Sequence, residues 1–231
     1  MGFASKLLKK MIPAVLPPEL ILIRAPTRFN AVYLTFDDGP HPRYTPELLD
    51  KLAEQNIRAT FFVIGNEAQM YPDLVRRIVS EKHSLGHHSY FHGEPSSVPA
   101  NKLMNEVRQS RELLHRLTGK RSNLFRPPFG QLTLAKTGKL WADQQSIVLW
   151  NVDSRDYQMA DSAQLVRWAE MYQPKSGDIV LLHDSYPFAS SSLAILARRV
   201  RERGLEFKPI QLHSSVPAFS RKPNNPGLET E

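Results

Sequence analysis

Cysteine is absent from all 231 residues. That excludes a disulfide framework, a thiolate metal site and a cysteine nucleophile. Glycine is scarce at 11 residues, and no Gly-x-Gly-x-x-Gly follows an expected strand, so a dinucleotide cradle has no support. Long apolar runs are missing too. Lys6, Lys9 and Lys10 come after the first apolar residues, and Pro13, Pro17, Pro18 and Glu19 interrupt the next stretch. A cleavable export signal puts its charges ahead of about 7–15 apolar residues, and a spanning helix needs about 20, so neither fits. The sequence therefore reads as that of a cytoplasmic chain. Peripheral membrane contact through residues 1–12, with Phe3, Leu7, Leu8 and Met11 on one side of a short helix, and atypical export are the alternatives.

Charge of one sign is lacking where it would matter most. The formal net charge is +7, but residues 31–197 hold 18 Lys/Arg against 18 acids. The excess sits at the two ends, five against one over residues 1–30 and seven against four over residues 198–231. A nucleic-acid surface interleaves its basic residues with the recognition elements, so no nucleic-acid partner is expected. A hydrophobic content of 41% is enough for one globular domain with a core. We divide the chain into a basic N-terminal extension (1–30), a domain (31–212) and a loose, proline-containing tail (213–231).

From residue 31 onward, short apolar runs alternate with helical patterns. Strands are expected at 31–36, 60–64, 84–86, 124–126, 147–152, 179–183 and 206–210. Helices are expected at 45–54, with Thr45 as N-cap, and at 72–81, 100–117, 132–142, 163–171 and 193–203. Gly119 stands where a helix-ending glycine belongs. Strands without polar alternation, separated by helices, imply a parallel sheet covered by helices. About seven such units predict an α/β fold, a distorted or incomplete (β/α) barrel, with a doubly wound open sheet as the alternative.

Polar clusters recur at the ends of those strands: Asp37-Asp38, His88 with His92, Arg126, Asp153 with Asp156, and His183. In a parallel barrel these ends share one face, where active sites lie. Taken singly, each has an ordinary explanation as a solvated turn, a surface arginine, a capping aspartate or a satisfied histidine. Two carboxylates and two imidazoles together can give three ligands to one divalent ion and leave a carboxylate over for proton transfer. His88 and His92, at i and i+4, point the same way only if their segment is helical. His87 beside them reads either as a supporting group or as an exposed one.

Taken in order, these residues resemble the five motifs of the polysaccharide deacetylases of carbohydrate esterase family 4, the rhizobial chitooligosaccharide deacetylase homology domain. They are Thr35–Pro40 (TFDDGP), His88–His92 (HSxxH), Arg126–Gly130 (RPPFG), Asp153–Tyr157 (DSRDY) and Leu182-His183-Asp184 (LHD). The resemblance spans roughly residues 30–210. It implies a distorted (β/α) barrel with one divalent metal, usually zinc, with cobalt, nickel, manganese or iron as alternatives, held by Asp38, His88 and His92. It implies Asp37 as general base held by Arg126, and His183 as general acid held by Asp156. The backbone N–H of Phe129 would meet the oxyanion, and Tyr157 and Leu182 would line the slot for the acetyl methyl. Arg126 would keep Asp37 ionised.

Two positions depart from the family pattern. His87 stands where Asn is common, and Tyr157 where Trp is common. The implied activity is removal of N-acetyl groups from an amino-sugar polymer or oligomer. The rivals are hydrolysis of a small non-carbohydrate amide or an O-acyl ester on the same fold, and an inactive glycan-binding module.

Overall fold

The computed structural model describes residues 19–94 and 97–211. The amphipathic stretch within residues 1–12 and the tail 213–231 lie outside the described residues. Nine strands form one sheet: β1 (Ile21–Leu22), β2 (Ala31–Asp37), β3 (Thr60–Val63), β4 (Ser84–His87), β5 (Leu124–Phe125), β6 (Ser146–Val148), β7 (Val152–Asp153), β8 (Ile179–His183) and β9 (Glu206–Phe207). Seven α-helices are described between them: α1 (Tyr44–Glu54), α2 (Gly65–Met70), α3 (Pro72–Ser80), α4 (Ala100–Thr118), α5 (Leu134–Ala142), α6 (Ser162–Met171) and α7 (Ala189–Glu202).

The strands run in the order β1-β6-β5-β4-β3-β2-β8-β7, β9 pairs the start of β2, and every pairing is parallel. β6 and β7 are far apart in that order, yet only residues 149–151 separate them. Four residue steps reach roughly 14 Å at most, so the sheet has to roll up. It is therefore an incomplete (β/α) barrel, and the open doubly wound alternative is excluded.

Period-two alternation sorts the side chains into layers. Ala31, Tyr33, Phe62, Val148 and Ile179 pack together inside the barrel. Val32, Leu34, Phe36, Phe61, Val63, Val180 and Leu182 face a layer that includes Leu48, Leu49, Leu165 and Leu193 from the helices. A third cluster joins α4 and α5 to Phe125, Ile147 and Leu149. All seven residues of β2 are buried, as befits a central strand covered on both faces. Gly86 is required on the inner face, because a Cβ there would lie 2.6 Å from the Phe62 ring and 3.0 Å from the Leu124 carbonyl oxygen.

Three expectations give way to the observed pairings. The domain begins before residue 31: β1 pairs with β6, and Leu20, Leu22, Ile23 and Ala25 are buried, so 20–25 belong to the core and not to an extension. The expected strand 147–152 is two strands, since its first part bonds toward β5 and β1 and its last part toward β8. Thr45 does not cap α1. The helix starts one residue earlier, and the Thr45 hydroxyl accepts from the His41 N–H at 2.7 Å and donates to Asp184 at 2.6 Å. Gly119 does end α4, at φ 70°.

Candidate active site

Because all strands are parallel, the C-terminal ends of β2, β4, β5, β7 and β8 open on one side, and the polar clusters meet there. Strand alternation alone would send Asp37 and Asp38 to opposite faces. Asp38 instead adopts φ 73°, a left-handed turn that brings it back beside Asp37. The next residue has to be glycine, because a Cβ on Gly39 would lie 2.0 Å from Asp184 Oδ2.

His88 and His92 also converge, but not on a helix. Ser89 and His92 take φ 62° and 53°, and the Ser89 hydroxyl accepts from the His92 N–H at 3.0 Å. Ser110 on α4 anchors the turn by donating to the Ser89 carbonyl at 2.9 Å. The two imidazoles finish with centroids 4.8 Å apart. His88 Nδ1 contacts the Arg126 carbonyl oxygen at 2.7 Å. That contact makes Nδ1 the protonated nitrogen and aims the Nε2 lone pair at the carboxylates.

His88 Nε2 and His92 Nε2 lie 3.5 and 3.4 Å from Asp38 Oδ1, and one ligand atom from each of the three residues falls within 4.8 Å of the others. Asp38 Oδ1 is buried with no hydrogen-bond partner among the described residues. Burial also holds His88 at a pKa of about 3, below the ordinary imidazole value, so it is neutral. An orphaned carboxylate oxygen facing two imidazoles fits a divalent cation, and this donor set suits first-row transition metals.

Asp37 adjoins this triad, with Oδ2 3.7 Å from His88 Nε2. Its other oxygen accepts from Arg126 Nη1 at 2.8 Å. Arg126 is completely buried. It also donates to Thr35 Oγ1 and to the carbonyls of Val148 and Leu149, and its guanidinium lies 4.1 Å from the Phe62 ring centroid and 5.5 Å from that of Trp150. The arginine does not dominate the titration of its partner. Burial pushes the Asp37 pKa above the usual carboxylate value, and the Arg126 charge offsets only part of that. The Arg126 charge does act in the expected direction, toward an ionised Asp37, and burial works against it.

In the β2–β8 register His183 is the direct neighbour of Asp37. Its Nδ1 contacts Asp156 Oδ1 at 2.7 Å, and its backbone N–H donates to Asp156 Oδ2 at 2.8 Å. Burial opposes the charged imidazole, but the hydrogen bond and charge of Asp156, with Asp37 and Asp38 adding, raise its pKa to about 9. Asp153 stays at the rim, where it accepts from the Arg155 N–H at 3.0 Å.

The three substrate-side residues divide. Phe129, at φ 56°, stands half-exposed against His92 with centroids 4.9 Å apart. Tyr157 meets His183 nearly at right angles, 5.3 Å away. Leu182 is not at the mouth. It is fully buried among the helix-facing side chains, and the period of the strand puts Leu181 on the His183 face instead. Counting back two residues from His183 would have found it.

His87 is a supporting group of the fold, outside the site. It points to the outer face, bonds Gln145 Oε1 at 2.9 Å and packs on Phe125. Asp184 is the residue that sequence reasoning left without a role. It is buried over Gly39, held by Thr45, and burial raises its pKa to about 7.

The family model for polysaccharide deacetylases matches residues 24–143. A peptidoglycan-N-acetylglucosamine deacetylase of Bacillus cereus is 36% identical over 156 residues, which is 67% of this chain and 56% of that protein. A second Bacillus cereus protein of the same name is 34% identical over 196 residues, covering 83% of this chain and 91% of the relative. In fold, the chain is similar to the crystal structure of the Bc1960 peptidoglycan N-acetylglucosamine deacetylase. The TM-score is 0.78 with 28% identity, over 83% of this chain and 91% of that one. More than half of the sequence thus answers to one family model, and the chain belongs to the polysaccharide deacetylase family.

Proposed function

We propose that this chain hydrolyses the N-acetyl amide of an amino-sugar polymer or oligomer of the N-acetylglucosamine type, releasing acetate and a free amine. One observation carries the reading. A carboxylate bound to a buried arginine and an imidazole bound to a buried aspartate sit side by side next to a triad fit for a divalent ion. An amide needs help at both ends, because its carbonyl is a weak electrophile and its nitrogen a poor leaving group. A divalent cation, zinc by preference for this donor set, would be held by Asp38, His88 and His92 and would supply Lewis acidity toward the amide carbonyl and the attacking water.

The chain's own residues do the rest. Asp37 Oδ2 faces the triad and accepts the proton of the attacking water, a role suited to a carboxylate whose pKa burial has raised. The backbone N–H of Phe129 is the proposed donor to the oxyanion. His183, charged at neutral pH, delivers a proton to the departing nitrogen as the C–N bond breaks. Tyr157 and Leu181 wall the methyl side, and Tyr157 narrows the slot less than Trp would. The reading is tested by metal analysis of the purified protein together with acetate release from N-acetylglucosamine oligomers. Release is expected to stop on chelation and return with added zinc. Acetate release that survives complete removal of the metal would sink it.

The acid's pairing has a pH signature. Turnover needs Asp37 ionised and His183 protonated, which gives a bell-shaped profile. Asp156→Asn removes the charge that raises the His183 pKa, so the imidazole loses its proton at lower pH. The alkaline limb of kcat is expected to move down by about 1–3 units. An unmoved limb in a folded variant would assign that limb to another group.

A further inference from the structure

Five aromatic rings stand among the exposed large hydrophobic residues: Phe29, Phe91, Phe129, Tyr157 and Tyr186. Four of the five are at the site. Phe129 packs on His92, Phe91 is the residue before His92, and Tyr157 and Tyr186 both stand on His183. A lone exposed apolar side chain needs no explanation, but a cluster around one centre marks a surface that a ligand covers.

The direction of proton transfer says which part of the ligand meets which ring. Asp156 occupies His183 Nδ1, so the proton leaves from Nε2. The amide nitrogen must come within hydrogen-bond reach of that atom, and the sugar carbon bonded to it cannot be far away. Tyr157 is assigned to the acetyl side. The other ring on His183 is Tyr186, 6.0 Å away and turned 87° to the imidazole. It is 37% exposed, and its hydroxyl has no hydrogen-bond partner among the described residues. An apolar ring face with an open polar tip matches a pyranose, which shows C–H groups on a face and hydroxyls at its rim.

We propose that Tyr186 is a specificity-determining residue: its ring carries the pyranose whose N-acetyl group is cut, and so selects amides borne on a sugar. This deepens the deacetylase reading and rests on it. The test uses calorimetry with the N-acetylglucosamine tetramer and the zinc-loaded Asp37→Asn protein, with and without Tyr186→Ala. Kd is expected to rise about tenfold on loss of the ring, and Tyr186→Phe is expected to stay within about threefold of its parent. With the base intact, Tyr186→Ala should raise KM for the tetramer at least about fivefold more than KM for 4-nitrophenyl acetate, an ester with no sugar. A Kd unchanged by Tyr186→Ala, or equal rises in KM for both substrates, overturns the proposal. Tetramer binding that depends on Tyr186 in a wild-type protein releasing no acetate sinks the deacetylase reading and reduces Tyr186 to a sugar-binding ring with no part in selecting amides. No tetramer binding at all overturns both.

Discussion

Asp37→Asn is expected to lower kcat for acetate release by about 10²–10⁴-fold, the range that a positioned general base supplies. The amide keeps the size of the carboxylate and its oxygen can still accept from the Arg126 N–H, so the local geometry is kept. The buried guanidinium loses its counter-charge, and some stability goes with it. Asp38, His88 and His92 are untouched, and one metal ion per chain should remain. Stopped turnover with retained metal separates proton abstraction from metal holding, a distinction that chelation alone does not make. Turnover within tenfold of the wild type would remove Asp37 from the role of base.

The largest effect on stability belongs to Arg126. It has no solvent exposure, and its four hydrogen bonds reach Asp37, Thr35 and two backbone carbonyls. Arg126→Met fills much of the volume but strands a buried carboxylate, which costs about 3–5 kcal/mol. For a domain of this size that is roughly a 10 °C fall in the unfolding temperature. Adding Asp37→Asn to the same variant removes the stranded charge, so the double variant should recover part of the loss. If Arg126→Met unfolds within about 1 kcal/mol of the parent, the guanidinium and carboxylate are not a coupled pair. Activity falls as well, because the base loses the partner that orients it.

Much of the molecule was legible in the chain because its strongest elements are long or wholly apolar. β2 and β8 read as buried strands from runs such as Ala31–Phe36, and α4 from its apolar spacing and Gly119. β1 was not legible: two residues inside a basic, proline-bearing stretch carry no period. α2 has six residues, fewer than two turns, too short to show a helical period, and no helix was expected there. The strand 147–152 looked continuous because its run is apolar but for Asn151, and one polar residue does not announce a change of pairing partner.

At the site, residue types and order identified the participants, whereas their convergence depends on backbone turns the letters do not spell. Asp38, Ser89, His92 and Phe129 all take positive φ without being glycine. Such conformations cost about 1–3 kcal/mol each and persist only where surrounding structure enforces them. The Leu182 assignment followed motif adjacency and ignored the alternation that places Leu181 beside His183.

Asp37 and His183 are opposite one another in the register of two hydrogen-bonded strands. Their separation is therefore governed by the backbone ladder, about 4.8 Å from strand to strand, and loop geometry has no hold on it. Mutations in the connecting loops can remodel which glycan is admitted while the distance over which protons are handed across stays constant. The spacing of base and acid thus stays fixed while the loops that admit the glycan diverge.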